Sequence, residues 1–137
     1  MFVQINRIFV ILIACLIQFN LAAVPLAESK ARFLGCIYRQ NSTNPNLEKY
    51  WNQVVPENSG KWNSVERVRG QMNWTNLDNA YDLAQTQGFP FRFHVLIWGN
   101  QQPSWMNDLS SSDQLDEIEE WFSAVATRYP GIDYLEV

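Results

Sequence analysis

The stretches VPENSGKW (residues 55–62) and HVLIWGNQ (residues 94–101) decide how the fold is interpreted. In each of them a short apolar run ends where polar and aromatic side chains come together. Parallel strands of an α/β barrel present ligand-binding groups in this way at their C-terminal ends. The two stretches therefore predict strands whose ends form a common ligand site.

Four apolar segments are interpreted as strands: residues 33–38, 53–56, 91–98 and 132–137. A short helix is predicted from Asn44, and longer helical patterns separate the later strands, which indicates βαβ units and a parallel sheet. A complete eight-stranded barrel needs about 250 residues, whereas this chain has 137. The predicted fold class is α/β, a TIM (β/α)8 barrel truncated to about its first four strands, with residues 24–137 as its N-terminal half.

Capping residues define the two longer helices. Residues 75–87 are predicted to be a helix with Thr75 as its N-cap and Gly88 as its terminator. The other helix is predicted to begin at about Ser110, with Asp113 in the capping-box position.

The period of two in the third strand predicts which of its side chains share a face. Arg92, His94, Leu96 and Trp98 are expected on one face of the sheet and the intervening apolar residues on the other. His94 alone is more often a core histidine, and Trp98 alone is more often a packing residue. The polar loop after Trp98 offers no apolar partner for the indole, which favours a ligand-binding role.

The N-terminus has the pattern of a secretory signal peptide. A continuously apolar run follows Arg7 and is shorter than the roughly 20 residues of a membrane span. Residues 1–23 are therefore predicted to be removed, which leaves a secreted protein without stable membrane insertion. The segment Leu12-Ile13-Ala14-Cys15 resembles a bacterial lipobox, so a lipid anchor at Cys15 is the alternative.

Charge and motifs exclude several classes of function. The net charge is −4 and Lys and Arg are not clustered, which argues against a nucleic acid as binding partner. No nucleophile elbow or phosphate loop is present, and the single histidine cannot build a multi-histidine metal site. No metal and no cofactor are expected. The remaining hydrolytic option is a pair of carboxylates, for which Glu57 and Glu136 are weak candidates.

Glu57, Asn58 and Lys61 combine a carboxylate acceptor, an amide and a cationic donor. Such a set suits vicinal hydroxyl groups, which both donate and accept hydrogen bonds. A solvated loop with ordinary ion pairing is the alternative. The aromatic content of 14%, with six tryptophans, is compatible with sugar stacking, although large cores also contain tryptophan.

These motifs together resemble glycoside hydrolase family ten, the endo-1,4-beta-xylanases. The resemblance extends from about Phe33 to Val137. The segments that carry it are FLG at 33–35, WNQVVPEN at 51–58, KW at 61–62, SVE at 64–66, GQMNW at 70–74, RFHVLIW at 92–98 and RYP at 128–130.

The resemblance implies a secreted barrel enzyme that hydrolyses internal linkages of xylan or xylo-oligosaccharides with retention of configuration. Three positions that hydrogen-bond the xylose on the non-reducing side in that family match Glu57, Asn58 and Lys61. Three positions that line the sugar next to the scissile bond match His94, Trp98 and Gln101. Many members carry a second histidine where this chain has Gly99.

By the same resemblance, both catalytic glutamates lie beyond the position of Val137, so the chain as given is expected to be inactive and its reading frame to continue. Half a barrel also exposes unpaired edges on strands one and four, so the chain is expected to be aggregation-prone. Retaining chemistry needs two carboxyl groups about 5 Å apart. A non-catalytic protein that binds xylan or oligosaccharides is the alternative function. An unfolded truncation without function is the third interpretation.

Overall fold

The structure is a computed structural model, and it describes residues 23–39 and 46–137. The predicted signal peptide lies outside the described residues except for Ala23, and Asn44, the predicted start of the first helix, lies outside them as well. The elements in chain order are β1 (Gly35–Tyr38), α1 (Leu47–Tyr50), β2 (Gln53–Pro56), α2 (Trp62–Val65), α3 (Thr75–Gln87), β3 (Arg92–Phe93), a 3₁₀ helix (Ser104–Asp108), α4 (Ser111–Arg128) and β4 (Tyr134–Leu135).

The four strands are parallel and follow one another in sequence order. Strand β1 pairs with β2 from Gly35↔Gln53 to Tyr38↔Pro56, and β3 pairs with β4. A parallel bridge between Val54 and Phe91 joins the two ladders. This arrangement confirms the predicted parallel sheet built from βαβ units.

The strands are shorter than predicted, apart from β2, which has the predicted bounds. Only Arg92 and Phe93 of the predicted third strand form a ladder with β4. Beyond them the carbonyl of His94 lies close to Gly60 in the loop after β2. Just past the end of β4, the Glu136 amide donates to the Phe93 carbonyl at 3.2 Å and the Glu136 carbonyl accepts from the Leu96 amide at 2.9 Å. The loop after β2 thus packs against the third strand at the point where its ladder with β4 ends.

The predicted alternation of the third strand holds at its beginning and fails further on. Phe91 and Phe93 are fully buried in the core, and Arg92 and His94 lie on the opposite side. Leu96 is also buried in the core cluster, so the prediction that it shares a face with His94 is wrong. The prediction assumed an uninterrupted strand over residues 91–98. Side chains alternate between the two faces of a sheet only while the strand is extended, and β3 ends at Phe93.

Tryptophans dominate the core between the sheet and the helices. Trp121 stacks on Trp62 with ring centroids 5.7 Å apart and on Trp74 with centroids 5.5 Å apart. The buried indole N–H of Trp121 donates to the Leu96 carbonyl at 2.7 Å. Five of the six tryptophans lie in this core or pack against it, and only Trp98 is exposed. Most of the aromatic content therefore serves packing.

The helix boundaries are close to those predicted, but one cap differs. Helix α4 has Ser110 as N-cap, whose Oγ accepts from the Asp113 amide at 3.2 Å, as predicted. Helix α3 has Trp74 in the N-cap position, so the prediction of Thr75 as N-cap is wrong. The Asn73 side chain accepts the Thr75 amide at 3.1 Å and supplies the missing acceptor. Two short helical segments, α2 and the 3₁₀ helix, were not predicted because they are too short to show a period.

Within the part of the chain that the structure describes, no helix has both the length and the apolar composition needed to cross a membrane.

Gly88 ends helix α3 with a positive φ of 66°. An added Cβ would meet no atom within 4 Å at Gly88 or at Gly99, and Gly99 has no positive φ. Gly88→Ala is expected to lower the free energy of unfolding by about 1–2 kcal/mol, because Gly88, unlike Gly99, has a left-handed backbone conformation that alanine disfavours. Gly99→Ala, the matched control, is expected to change it by less than about 0.5 kcal/mol. Urea unfolding of both variants measures the difference, and equal losses would contradict the explanation.

Asp78 of α3 binds the C-terminal end of α4. Its carboxylate accepts two hydrogen bonds from Arg128, at 2.8 and 2.6 Å, and one from the Tyr129 hydroxyl at 2.8 Å. The Arg128 hydrogen bonds hold the pKa of Asp78 below its ordinary value of 3.8, with a smaller contribution from Tyr129. A carboxylate whose pKa is depressed by folding stabilises the protein above its ordinary pKa, and this stabilisation is lost as the pH falls through the folded-state value.

Asp78→Asn is therefore expected to lower the free energy of unfolding by about 1 kcal/mol at pH 7, because the pair is partly exposed. The difference from the wild type should shrink as the pH falls below 4. Urea unfolding between pH 7 and pH 3 measures this convergence. Asp82→Asn, on an exposed position of the same helix, is the control and should lack the pH-dependent difference seen in Asp78→Asn.

Candidate functional site

Arg39 and Glu57 meet where β1 and β2 end. The Glu57 amide donates to the Tyr38 carbonyl at 3.0 Å, which places Arg39 and Glu57 one position beyond the last paired residues. The Arg39 Nε and Nη2 atoms each donate to one carboxylate oxygen of Glu57. These hydrogen bonds, with a further contribution from the charge of Lys61, hold the pKa of Glu57 below its ordinary range. Glu57 is thus an ionised acceptor at this edge of the sheet.

Lys61 connects the loop after β2 to the loop after the third strand. Its Nζ donates to Asn58 Oδ1 at 2.8 Å and lies 5.1 Å from the centroid of the Trp98 ring. The residue is only 9% exposed, so the ammonium group is held by these partners and by the nearby charge of Glu57. Lys61 therefore joins two other predicted site residues, one from each loop.

His94 is held by a carboxylate on the neighbouring strand. Its Nδ1 contacts Glu136 Oε2, and Arg92 Nη2 donates to the other oxygen of the same carboxylate. The hydrogen bond with His94, followed by that from Arg92, holds the pKa of Glu136 below its ordinary range. Nε2 of His94 makes no hydrogen bond to any residue that the structure describes, so it is the ring nitrogen left for a ligand.

The main chain holds the two loops at a fixed separation. Gly60 packs so closely against the third strand that an added Cβ would lie 2.5 Å from the His94 carbonyl oxygen. The Gln101 carbonyl accepts from the Asn63 amide at 3.3 Å. The Gln101 amide donates to the Trp98 carbonyl at 3.0 Å. Its side chain is exposed and makes no hydrogen bond to the other predicted site residues that the structure describes.

Arg39 and Arg92 are site residues that sequence reasoning missed. Arg39 directly follows the first predicted strand and Glu57 directly follows the second, so the parallel register alone brings them together. The sequence places Glu136 inside the last strand, but in the structure it directly follows β4 and its carboxylate contacts His94. The positions of these residues relative to the strand ends were the available signal.

Parallel strands in sequence order, helices packed on the sheet and polar groups at the strand ends are the architecture of the β/α-barrel class. Residues 23–137 match the sequence profile of the family described as Glycosyl hydrolase family 10. The chain belongs to this family, which confirms the resemblance found in the sequence.

Similar proteins are xylanases by name. The chain is 39% identical over 106 residues to Endo-1,4-beta-xylanase B of Cellvibrio japonicus, which covers 77% of this chain and 18% of that protein. It is 44% identical over 80 residues to Endo-1,4-beta-xylanase 3 of Hypocrea jecorina, which covers 58% of this chain and 23% of that protein. The chain thus spans about a fifth of the length of these curated relatives.

Solved structures establish the barrel fold. Xylanase XynB from Paenibacillus barcinonensis in complex with a conduramine derivative has a TM-score of 0.74 at 22% identity, over 85% of this chain and 38% of that one. The Thermobacillus composti GH10 xylanase has a TM-score of 0.68 at 24% identity, over 74% and 34% of the two chains. The predicted truncated TIM barrel is confirmed by these matches.

Gly60→Ala tests whether loop spacing sets the site. The new methyl group would collide with the backbone carbonyl of His94, which cannot move as a flexible side chain would, so the free energy of unfolding should fall by about 1–3 kcal/mol. Displacing the loop should also move Lys61 away from Trp98 and change the Trp98 fluorescence. Ser59→Ala at the preceding position is the control. A variant with unchanged stability and fluorescence would show that the two loops are not in this contact.

Proposed function

We propose that this chain is the substrate-binding half of a secreted endo-1,4-beta-xylanase, and that its site binds neighbouring xylose units of a xylan chain. The observation that carries the proposal is the contact of Lys61 with both Asn58 and Trp98 beside the ionised Glu57. The xylanase names of the relatives support xylan as the substrate class.

The chemistry of the cluster suits a neutral polyol. Glu57 accepts hydrogen bonds, the Asn58 amide nitrogen donates, and Lys61 retains ammonium protons beyond the one used on Asn58. Because a sugar hydroxyl donates and accepts together, it needs both kinds of partner within one ring width. We propose that Glu57, Asn58 and Lys61 bind the xylose on the non-reducing side.

Trp98 supplies an apolar surface to the same ligand. It is 44% exposed, whereas the other tryptophans are half-buried or buried, so its ring face is open for a sugar ring to stack through its C–H face. We propose that Trp98, His94 and Gln101 line the sugar next to the scissile bond. His94 would use Nε2, while Glu136 orients the ring through Nδ1.

We further propose that hydrolysis retains configuration and that its acid and nucleophile are not among residues 23–137. A retaining enzyme needs one protonated and one ionised carboxyl group. Glu57 and Glu136 are both bound by arginine and both have lowered pKa values, which makes neither suitable as the proton donor, and an ionised carboxylate without a proton donor does not complete the pair. The 137-residue chain is therefore expected to bind xylo-oligosaccharides without cleaving them.

Calorimetric titration with xylohexaose at pH 7 tests the proposed site. Glu57→Gln and Trp98→Ala are each expected to weaken binding by about tenfold or more, because the first removes a charged acceptor and the second removes the stacking surface. Glu119→Gln, on an exposed position of α4, is the matched control and should bind as the wild type does. The near-UV dichroism of the tryptophans verifies folding in each variant.

Unchanged affinity in both site variants would contradict the assignment to carbohydrate binding. Release of shorter oligosaccharides from xylohexaose by the 137-residue chain would contradict the assignment of both catalytic carboxyl groups to residues elsewhere. Equal affinity for cellohexaose would keep the site but widen its proposed ligand class from xylan to β-1,4-linked polysaccharides of xylose and glucose.

A further inference from the structure

The pairing of β1 and β2 sets Arg39 beside Glu57. Tyr38 and Pro56 are the last partners of the ladder, and the hydrogen bond from the Glu57 amide to the Tyr38 carbonyl continues it by one step. Arg39 and Glu57 therefore leave the sheet side by side, from backbone positions that the ladder fixes. Their ion pair is a consequence of the register.

The geometry of the pair constrains the carboxylate. Two N–H groups of the planar guanidinium bind the two oxygens of Glu57 in parallel, and such a bidentate pair fixes the orientation of the carboxylate plane. A carboxylate offers about four lone-pair sites, of which Arg39 uses two. Among the residues that the structure describes, no other hydrogen bond to this carboxylate is seen, so the other two can accept from hydroxyl groups of a ligand.

A second cation near Glu57 makes this orientation significant. Lys61 is close enough for its charge to act on Glu57, yet its ammonium donates to Asn58 and covers the Trp98 ring. Without Arg39, Glu57 would be free to turn toward Lys61. Such a pair would consume the acceptor and the donor that a sugar needs.

We propose that Arg39 is a positioning residue for sugar binding, which holds the Glu57 carboxylate toward the ligand and keeps it from pairing with Lys61. The inference rests on the proposed function, in which Glu57 binds the substrate. Arg39 acts through Glu57 and needs no contact of its own with the sugar. Because the Arg39 side chain is 65% exposed, the pair adds little to folding stability, and its effect belongs to binding.

The test is a double-mutant cycle measured by calorimetry with xylohexaose at pH 7. Arg39→Met is expected to weaken binding roughly threefold to tenfold, and Arg39→Lys to restore part of the loss because it keeps the charge without the bidentate geometry. In the Glu57→Gln background, Arg39→Met should change the affinity by less than about twofold, since there is no carboxylate left to orient. Arg67→Met, at another exposed arginine, is the matched control.

The pH profile supplies a second readout that a purely structural role would not change. Arg39 lowers the pKa of Glu57, so its removal should raise that pKa. The loss of affinity on acidification should then begin at a higher pH in Arg39→Met than in the wild type. Near-UV dichroism verifies that Arg39→Met is folded. If Arg39→Met does not fold, Arg39→Lys replaces it in the comparison with the wild type.

Several outcomes would overturn the proposal. Tighter binding by Arg39→Met would mean that Arg39 competes with the ligand for Glu57. An equal loss in both backgrounds would mean that Arg39 contacts the sugar directly. If Glu57→Gln weakens binding and Arg39→Met does not, the positioning role fails while the proposed function stands. If the wild type does not bind xylohexaose, both fail together.

Discussion

The stack of Trp62, Trp121 and Trp74 is the interaction on which the geometry of the site depends. Trp121, from the middle of α4, lies between an indole from α2 and an indole at the start of α3, and its N–H binds the carbonyl of Leu96. Buried parallel rings of this size contribute both large apolar contact and specific geometry. Lys61 directly precedes Trp62, and Trp98 follows Leu96 by two residues. A single stack therefore anchors both loops, and the side chains of Lys61 and Trp98 contact each other across them.

Arginine pairs set the charge of the site. Glu57 is held by Arg39 and Glu136 by Arg92 together with His94, and in both cases the hydrogen bonds lower the pKa of the carboxyl group. Each carboxylate keeps its charge while its arginine partner balances it, so the site offers strong acceptors and donors at little net charge. Such a surface suits a ligand that is rich in hydroxyl groups and uncharged.

Sequence reasoning succeeded where a local signal decides the structure and failed where a neighbour decides it. The bounds of α3 and β2 were predictable because Gly88 and Pro56 end their elements by their own backbone chemistry. The end of β3 was not predictable, because no local signal in the sequence marks it and its neighbour at this point, the loop at Gly60, is distant in sequence. The N-cap of α3 failed for a similar reason, since Asn73 satisfies the first amide. Of the predicted site residues, Lys61 contacts Asn58 and Trp98. His94 instead contacts Glu136, and the Gln101 side chain remains exposed.

Gly99 shows how a departure from the family pattern can be explained. By the resemblance, many members of the family carry a histidine at this position. Glycine is not required here by packing or backbone, because an added Cβ would meet no atom within 4 Å and the residue has no positive φ. A side chain at position 99 would therefore have room on this surface. In the proposed site, any ligand contact that a histidine would supply at this position falls to Trp98 and to His94, whose ring contacts Glu136.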